Sequence, residues 1–172
     1  MPKAFQIINS IKSIAPNQNK EAVKALWYFL IMLAYSPFWE KKNCTFCWKS
    51  GRLQSKFFDK AYSYSNSHQS EIELDPVLKI KLLHYLRLIS EKDIDVELPM
   101  MVHFAYFYHY RHLDSPPSDD DNIDYLKKQV PGYNRPDIKA AYEILKQIGL
   151  FEKWQKATYD SFLETDWKKV IK

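Results

Sequence analysis

The residue types best suited to binding chemistry lie between residues 41 and 64, where basic and aromatic side chains are interleaved. A helix over Lys49–Tyr62 would place four of the basic side chains on one stripe, at spacings of i, i+3, i+7 and i+11. Trp48, Phe57 and Tyr64 are among the aromatic side chains beside that stripe. The predicted binding residues are Lys41, Lys42, Trp48, Lys49, Arg52, Lys56 and Lys60.

This combination of side chains is typical of a surface that meets nucleic acid. Lysine and arginine neutralise phosphates and release condensed counterions, while aromatic rings provide faces on which bases stack. The alternative is a solvated lysine face whose aliphatic stems cover core aromatics. We therefore expect segment 41–64 to bind an anionic partner, namely nucleic acid or a nucleoprotein complex.

The distribution of charge supports the same segment. The 172 residues carry 25 lysines and arginines against 21 aspartates and glutamates, a formal net charge of +4. Between Trp39 and Tyr64 there are six basic and two acidic residues, so this segment holds the whole excess. The remaining charges balance, as on an ordinary solvated surface.

Two cysteines, Cys44 and Cys47, have the C-x₂-C spacing of half a zinc site. His68 is the nearest downstream candidate for a third ligand, but Ser65, three residues before it, cannot ligate zinc. No complete ligand set is present, so we expect no cofactor and keep zinc on Cys44, Cys47 and His68 as the alternative. Two cysteines this close together do not form a disulfide framework.

Three histidines, His103, His109 and His112, lie in one segment. On a helix His109 and His112 are i, i+3 neighbours, whereas His103 points roughly away from His112. With a carboxylate from elsewhere, His109 and His112 would build a metal site or an acid–base site. The chain has no phosphate-binding glycine loop, no H-E-x-x-H and no G-x-S-x-G motif, which argues against the common enzyme classes built on them.

The elements that position these residues are predicted to be helices. Apolar residues recur at helical spacing in several segments, and helix boundaries are marked by Asn19, by Asp75-Pro76 and by Gly149. Residues 99–113 are predicted to be helical, although their aromatic residues also alternate as in a strand. Only three glycines in the chain argue against a series of tight hairpins. The predicted fold is all-α, a single compact domain of six to eight helices.

The clearest internal break is the acidic, proline-containing stretch 114–121. It divides a helical core at residues 1–113 from a C-terminal helical part at 122–172, which we expect to pack on the core, with a smaller C-terminal subdomain as the alternative. The N-terminus has no apolar leader with a cleavage site. No stretch reaches the length of a membrane span. We therefore expect a soluble, cytoplasmic protein with no membrane partner.

These observations favour a non-enzymatic accessory or regulatory protein that binds through segment 41–64. The first alternative is a protein–protein interaction module, an inhibitor or adaptor, anchored by the aromatic residues Trp39, Trp48, Tyr106 and Tyr110. The second is a histidine-dependent hydrolase or nuclease that uses His109 and His112.

Overall fold

Seven helices and one β-hairpin form the part of the chain that the computed structural model describes, which is residues 3–34, 46–110 and 118–150. For residue 34 and residues 107–110 only the backbone is described. In chain order the elements are α1 (Ala4–Ile14), α2 (Lys20–Ala34), β1 (Cys47–Lys49), β2 (Arg52–Gln54), α3 (Lys56–Ser65), α4 (Pro76–Lys92), α5 (Leu98–Tyr110), α6 (Asp119–Gln129) and α7 (Arg135–Gln147). The predicted all-α domain is confirmed, with the hairpin as a small addition.

Several helix boundaries lie at the residues that the sequence marks. The Asn19 side chain accepts a hydrogen bond from the Ala22 amide at 2.9 Å, which caps α2. Asp75 caps α4 in the same way, accepting from the Val77 amide at 2.9 Å, and Pro76 occupies the first helical position. After α7, Gly149 adopts a left-handed conformation with φ of +78°, the usual helix stop.

Helix α2 lies in the middle of the core. Its aromatic residues Trp27, Tyr28 and Phe29 are all buried, and α1, α4 and α5 pack around it. Helix α5 is buried on every side from Leu98 to Ala105. A helix surrounded by protein has no polar face, so its apolar residues show no helical periodicity in the sequence. The alternation of aromatic residues in this segment therefore does not indicate a strand. The predicted helix is confirmed over Leu98–Tyr110.

The C-terminal part of the described chain consists of α6 and α7, which pack on each other and on α5. The acidic stretch is shorter than predicted, because α6 already begins at Asp119. Ser118 caps this helix, accepting a hydrogen bond from the Asp121 amide at 3.2 Å. The three aspartates lie in the first turn of α6, where the positive end of the helix dipole stabilises their negative charges. The prediction of a loop over residues 119–121 is therefore wrong.

Residues 111–117 and 151–172 lie outside the described residues, as do the parts of the domain prediction that concern them. One hydrophobic core contains side chains from both sides of residues 111–117, from Ile7 and Trp27 to Leu145 and Leu150. None of the helices in the described ranges is both long enough and apolar enough to cross a bilayer.

Candidate nucleic-acid interface

The β-hairpin positions Trp48 and Lys49. Its two-residue turn is Ser50-Gly51, with φ of +54° and +73°. Positive φ at both turn residues is typical of the type I′ turn, whose twist matches that of the two strands. The strands pair antiparallel with Trp48 opposite Leu53 and Lys49 opposite Arg52. The predicted helix over Lys49–Tyr62 is therefore wrong in its first half, and the four-cation helical stripe does not exist.

One face of the hairpin, which carries Trp48 and Leu53, packs against the core. Leu53 is fully buried, and Trp48 on the same face packs edge-on against Phe104 with ring centroids 6.0 Å apart. Trp48 nevertheless keeps 37% of its surface exposed. Its indole is thus held by the core on one side and open to solvent on the other. Such a ring is available for stacking while losing little conformational freedom on binding.

Helix α3 carries two more of the predicted binding residues, Lys56 and Lys60. One residue, Ser55, connects it to the hairpin and caps it, accepting a hydrogen bond from the Phe58 amide at 3.1 Å. Phe58 faces the core and is fully buried. Lys56 and Lys60 are one turn apart and both exposed, so their ammonium groups lie on the same side of the helix.

Arg52 does not belong with these free cations. Its guanidinium donates to the Glu97 carboxylate at 2.8 Å and lies 3.6 Å from the Asp95 carboxylate. The hydrogen bond to Glu97 is the main reason that the pKa of Arg52 is raised. Its charge is neutralised within the protein, and we remove it from the predicted binding residues.

Glu97 is the centre of a buried polar cluster. Its side chain is 1% exposed, and its second carboxylate oxygen lies 2.5 Å from the ammonium of Lys24. Next to it, Asp95 accepts a hydrogen bond from the Tyr133 hydroxyl at 2.7 Å. Desolvation, with that hydrogen bond, raises the pKa of Tyr133 to about 12. These contacts connect the hairpin to α2, to the segment before α5 and to the segment between α6 and α7.

Three lysines of segment 41–64 have no carboxylate partner among the residues that the structure describes. Lys49, Lys56 and Lys60 are exposed and form no ion pair with any residue that the structure describes. The nearby Asp59 is already paired with Lys20 at 2.7 Å. We call Trp48, Lys49, Lys56 and Lys60 the basic surface. Lys41 and Lys42 lie outside the described residues.

The tyrosines of α3 are partly used within the protein. The Lys12 ammonium lies 4.2 Å from the centre of the Tyr62 ring and donates to the Ser65 hydroxyl at 2.7 Å. Partial burial lowers the pKa of Lys12. Tyr64 stacks on His68 with ring centroids 3.6 Å apart and keeps 48% of its surface exposed. Tyr64 therefore adds a second partly exposed ring near the end of α3.

The zinc alternative cannot be assembled from the described residues, because Cys44 lies outside them. Cys47 is a half-buried free thiol. His68 donates through Nδ1 to the Tyr64 carbonyl at 3.1 Å. Over residues 3–34, 46–110 and 118–150 no three histidine, cysteine, aspartate or glutamate side chains are grouped as metal ligands. Zinc on Cys44, Cys47 and His68 stays a prediction.

Of the three clustered histidines, the structure describes the side chain of His103 alone. It is fully buried in α5, and its Nδ1 is 2.8 Å from the Tyr28 hydroxyl. Burial lowers the pKa of His103 to about 3, so the imidazole is neutral at physiological pH. The side chains of His109 and His112, on which the enzyme alternative depends, lie outside the described residues.

Sequence reasoning did not identify the Glu97 cluster. The available signal was a carboxylate between Val96 and Leu98 at the start of an apolar helix, where a charge requires a partner. Comparison of the chain with protein families, with curated proteins and with solved structures gives no match.

Proposed function

We propose that this protein is a non-enzymatic accessory protein that binds single-stranded nucleic acid, free or within a nucleoprotein complex, through the basic surface. The observation that carries the proposal is the contrast between Arg52, which is neutralised by Glu97, and three exposed lysines that have no carboxylate partner among the described residues. Uncompensated cations that are close together along the chain favour an anionic partner.

The aromatic side chains favour a single strand over a duplex. Trp48 is held against Phe104 and is partly exposed. In a duplex the faces of the bases are covered by stacking, whereas an unpaired base can stack on an indole. In this proposal the three lysines contact phosphates and Trp48 stacks on a base.

Lys49, Lys56 and Lys60 are close together along the chain, which supports their contacting one strand of nucleic acid. Lys49 and Arg52 are directly opposite in the hairpin, and α3 begins two residues after the hairpin ends. Like charges directly opposite on two strands repel each other. The pairing of Arg52 with Glu97 relieves that repulsion and leaves the charge of Lys49, beside the turn, uncompensated among the described residues.

The test is a binding titration with a fluorescein-labelled single-stranded oligonucleotide of mixed sequence, followed by fluorescence anisotropy at low salt. The variant is Lys49→Gln, Lys56→Gln and Lys60→Gln together. We expect its affinity to fall by at least about tenfold, because every lysine that meets a phosphate releases counterions and thereby favours binding.

The matched control replaces three exposed lysines elsewhere, Lys92→Gln, Lys128→Gln and Lys139→Gln, which gives the same change in net charge. The proposal requires the control variant to keep nearly the wild-type affinity. Equal decreases in affinity in the two variants would assign the binding to net charge alone, and absence of binding by the wild-type protein would also contradict the proposal.

A further inference from the structure

Two stacked rings lie at the C-terminal end of α3, beyond the lysines of the basic surface. The rings of Tyr64 and His68 are 3.6 Å apart between their centroids and only 8° from parallel. Both residues are exposed, and Tyr64 keeps 48% of its surface accessible to solvent. The two rings form an aromatic stack at the surface of the protein.

One face of the Tyr64 ring is left uncovered by its aromatic neighbours. The centroid of the Phe5 ring is 4.9 Å from that of Tyr64 and 6.0 Å from that of His68. Together with the stacking distance of 3.6 Å, these distances place Phe5 at about a right angle to the stacking direction. Phe5 therefore contacts the edge of the Tyr64 ring, and His68 covers one of its faces. Neither neighbour covers the other face, in agreement with the exposed fraction of Tyr64.

Hydrogen bonds to the surrounding backbone hold the stack in place. Nδ1 of His68 lies 3.1 Å from the carbonyl oxygen of Tyr64. From α1, the buried side chain of Asn9 donates to the His68 carbonyl at 2.6 Å and to the Ser70 carbonyl at 3.0 Å. The Tyr64 ring is thus positioned before a ligand binds, which lowers the conformational entropy lost on binding.

Tyr64 lies on the same side of α3 as Lys56 and Lys60. The three residues are four positions apart, so each follows the previous one by about one turn of the helix. All three are exposed, whereas Phe58 and Ser65 on the far side of the helix are buried. From Lys56 to Tyr64 the line is about 12 Å long. Two cations and then an uncovered ring face therefore follow each other along the exposed side of one helix.

We propose that Tyr64, backed by His68, is a second base-stacking position, and that a single strand lies along α3 with its phosphates on Lys56 and Lys60. Stacking adds binding energy without reading the sequence, because every base has a π-face. The 12 Å line corresponds to about four nucleotides at the stacked spacing of about 3.4 Å. This inference rests on the proposed nucleic-acid function and extends its site to the last turn of α3.

Photocrosslinking locates the contact directly. Single-stranded oligothymidylates that carry iodouracil at one position, moved along the strand, are irradiated with the full-length protein. Iodouracil crosslinks preferentially to an aromatic side chain on which it stacks, and the crosslinked residue is identified by mass spectrometry. We expect crosslinks at Tyr64. Crosslinks at other residues of the chain and none at Tyr64 would overturn the inference.

Three substitutions separate the aromatic face of Tyr64 from its bulk. Tyr64→Phe keeps a ring, Tyr64→Leu keeps an apolar side chain without a π-face, and Tyr64→Ala removes both. In the anisotropy titration with the labelled oligonucleotide, the Leu and Ala variants should bind at least about fivefold more weakly than the wild type, the lower end of what stacking on one base contributes. Tyr64→Phe should bind nearly as the wild type does. Equal affinities of the Leu and Phe variants would contradict stacking at this position.

The salt dependence of binding separates this position from the lysines. A ring that stacks on a base releases no counterions, so Tyr64→Leu should leave the slope of log affinity against log salt concentration unchanged. A slope as shallow as that of the variant with Lys49, Lys56 and Lys60 replaced by glutamine would overturn the assignment of Tyr64 to a base.

Failure of this inference is distinguishable from failure of the proposed function. If the triple lysine variant binds weakly and Tyr64→Leu binds as the wild type does, the second stacking position is wrong and the nucleic-acid function stands. If Tyr64→Leu lowers the urea midpoint without changing the affinity, the stacked pair only closes the end of α3, which also overturns the inference. Absence of binding by the wild-type protein would overturn both proposals.

Discussion

The guanidinium of Arg52 lies 2.8 Å from the buried carboxylate of Glu97, 45 residues further along the chain. This contact fixes the hairpin to the core and removes one cation from the segment that the sequence marks as basic. It separates a structural arginine from the three lysines that form the basic surface with Trp48.

The first prediction concerns the stability that Glu97 provides. In the variant Glu97→Gln, Lys24 keeps its charge at a site where its side chain is 13% exposed. Removal of one partner of a buried ion pair costs about 3 kcal/mol, so the free energy of unfolding should fall by about that amount in urea denaturation. Arg52→Gln should cost less, about 1 kcal/mol, because this side chain is half exposed.

The exposed pair Lys20–Asp59 provides the control for that experiment. Both side chains are about half exposed, so Lys20→Gln should change stability by less than about 1 kcal/mol. A cost for Glu97→Gln as small as that of Lys20→Gln would show that the Glu97 cluster is not a structural anchor.

The second prediction concerns the turn of the hairpin. Gly51 has φ of +73°, and a Cβ added there would meet nothing within 4 Å. The cost of Gly51→Ala is therefore purely conformational, about 1 kcal/mol. At Gly132 the added Cβ also meets open space, and φ is not in the left-handed region. Gly132→Ala should be neutral or slightly stabilising, and equal effects in thermal unfolding would contradict the assigned turn.

The third prediction concerns pH and His103, whose pKa burial lowers from 6.5 to about 3. Below pH 6.5 the unfolded chain binds a proton at this residue that the folded chain does not bind. Stability should therefore fall on acidification from pH 6.5 towards pH 3, by about 1.4 kcal/mol per pH unit for this group.

The variant His103→Asn tests this expectation, since its amide can still pair with the Tyr28 hydroxyl but does not titrate. Between pH 7 and pH 5 the wild-type protein should lose about 2 kcal/mol more unfolding free energy than the variant. Parallel pH profiles for the two proteins would mean that His103 is not held neutral by burial.

The fourth prediction concerns base stacking on Trp48. Trp48→Ala should weaken oligonucleotide binding by about 1–3 kcal/mol, and Trp48→Phe should restore part of that affinity because a phenyl ring can also stack. Because Trp48 also packs on Phe104, each variant must be compared at a temperature where it is fully folded. If the variants Trp48→Ala and Trp48→Phe bind the oligonucleotide with equal affinity, the ring at this position does not stack on a base.

Much of the fold was predictable because its signals are local. Asn19, Asp75 and Gly149 mark helix ends through contacts within a few residues, and these predictions are confirmed. The hairpin was missed although its signal is also local. A low glycine count argues against many hairpins, but a single type I′ turn requires only Ser50-Gly51.

The candidate site was less predictable, because charge in a sequence does not show which residues pair. Lys49 and Arg52 are equivalent as sequence features, yet Arg52 is neutralised by Glu97 from a distant segment. The exposed apolar residues of α4, Val77, Ile80 and Leu83, had a visible signal in their three-residue spacing. The stronger periodicity of the core face of α4 concealed it.

The most direct test of the central claim is the salt dependence of oligonucleotide binding. The logarithm of the affinity should fall linearly with the logarithm of salt concentration between about 50 and 200 mM. Replacing Lys49, Lys56 and Lys60 by glutamine should make that slope shallower by about 2, because each neutralised phosphate of a single strand contributes about 0.7 to it. An unchanged slope in this variant would contradict the claim that these three lysines contact the nucleic acid.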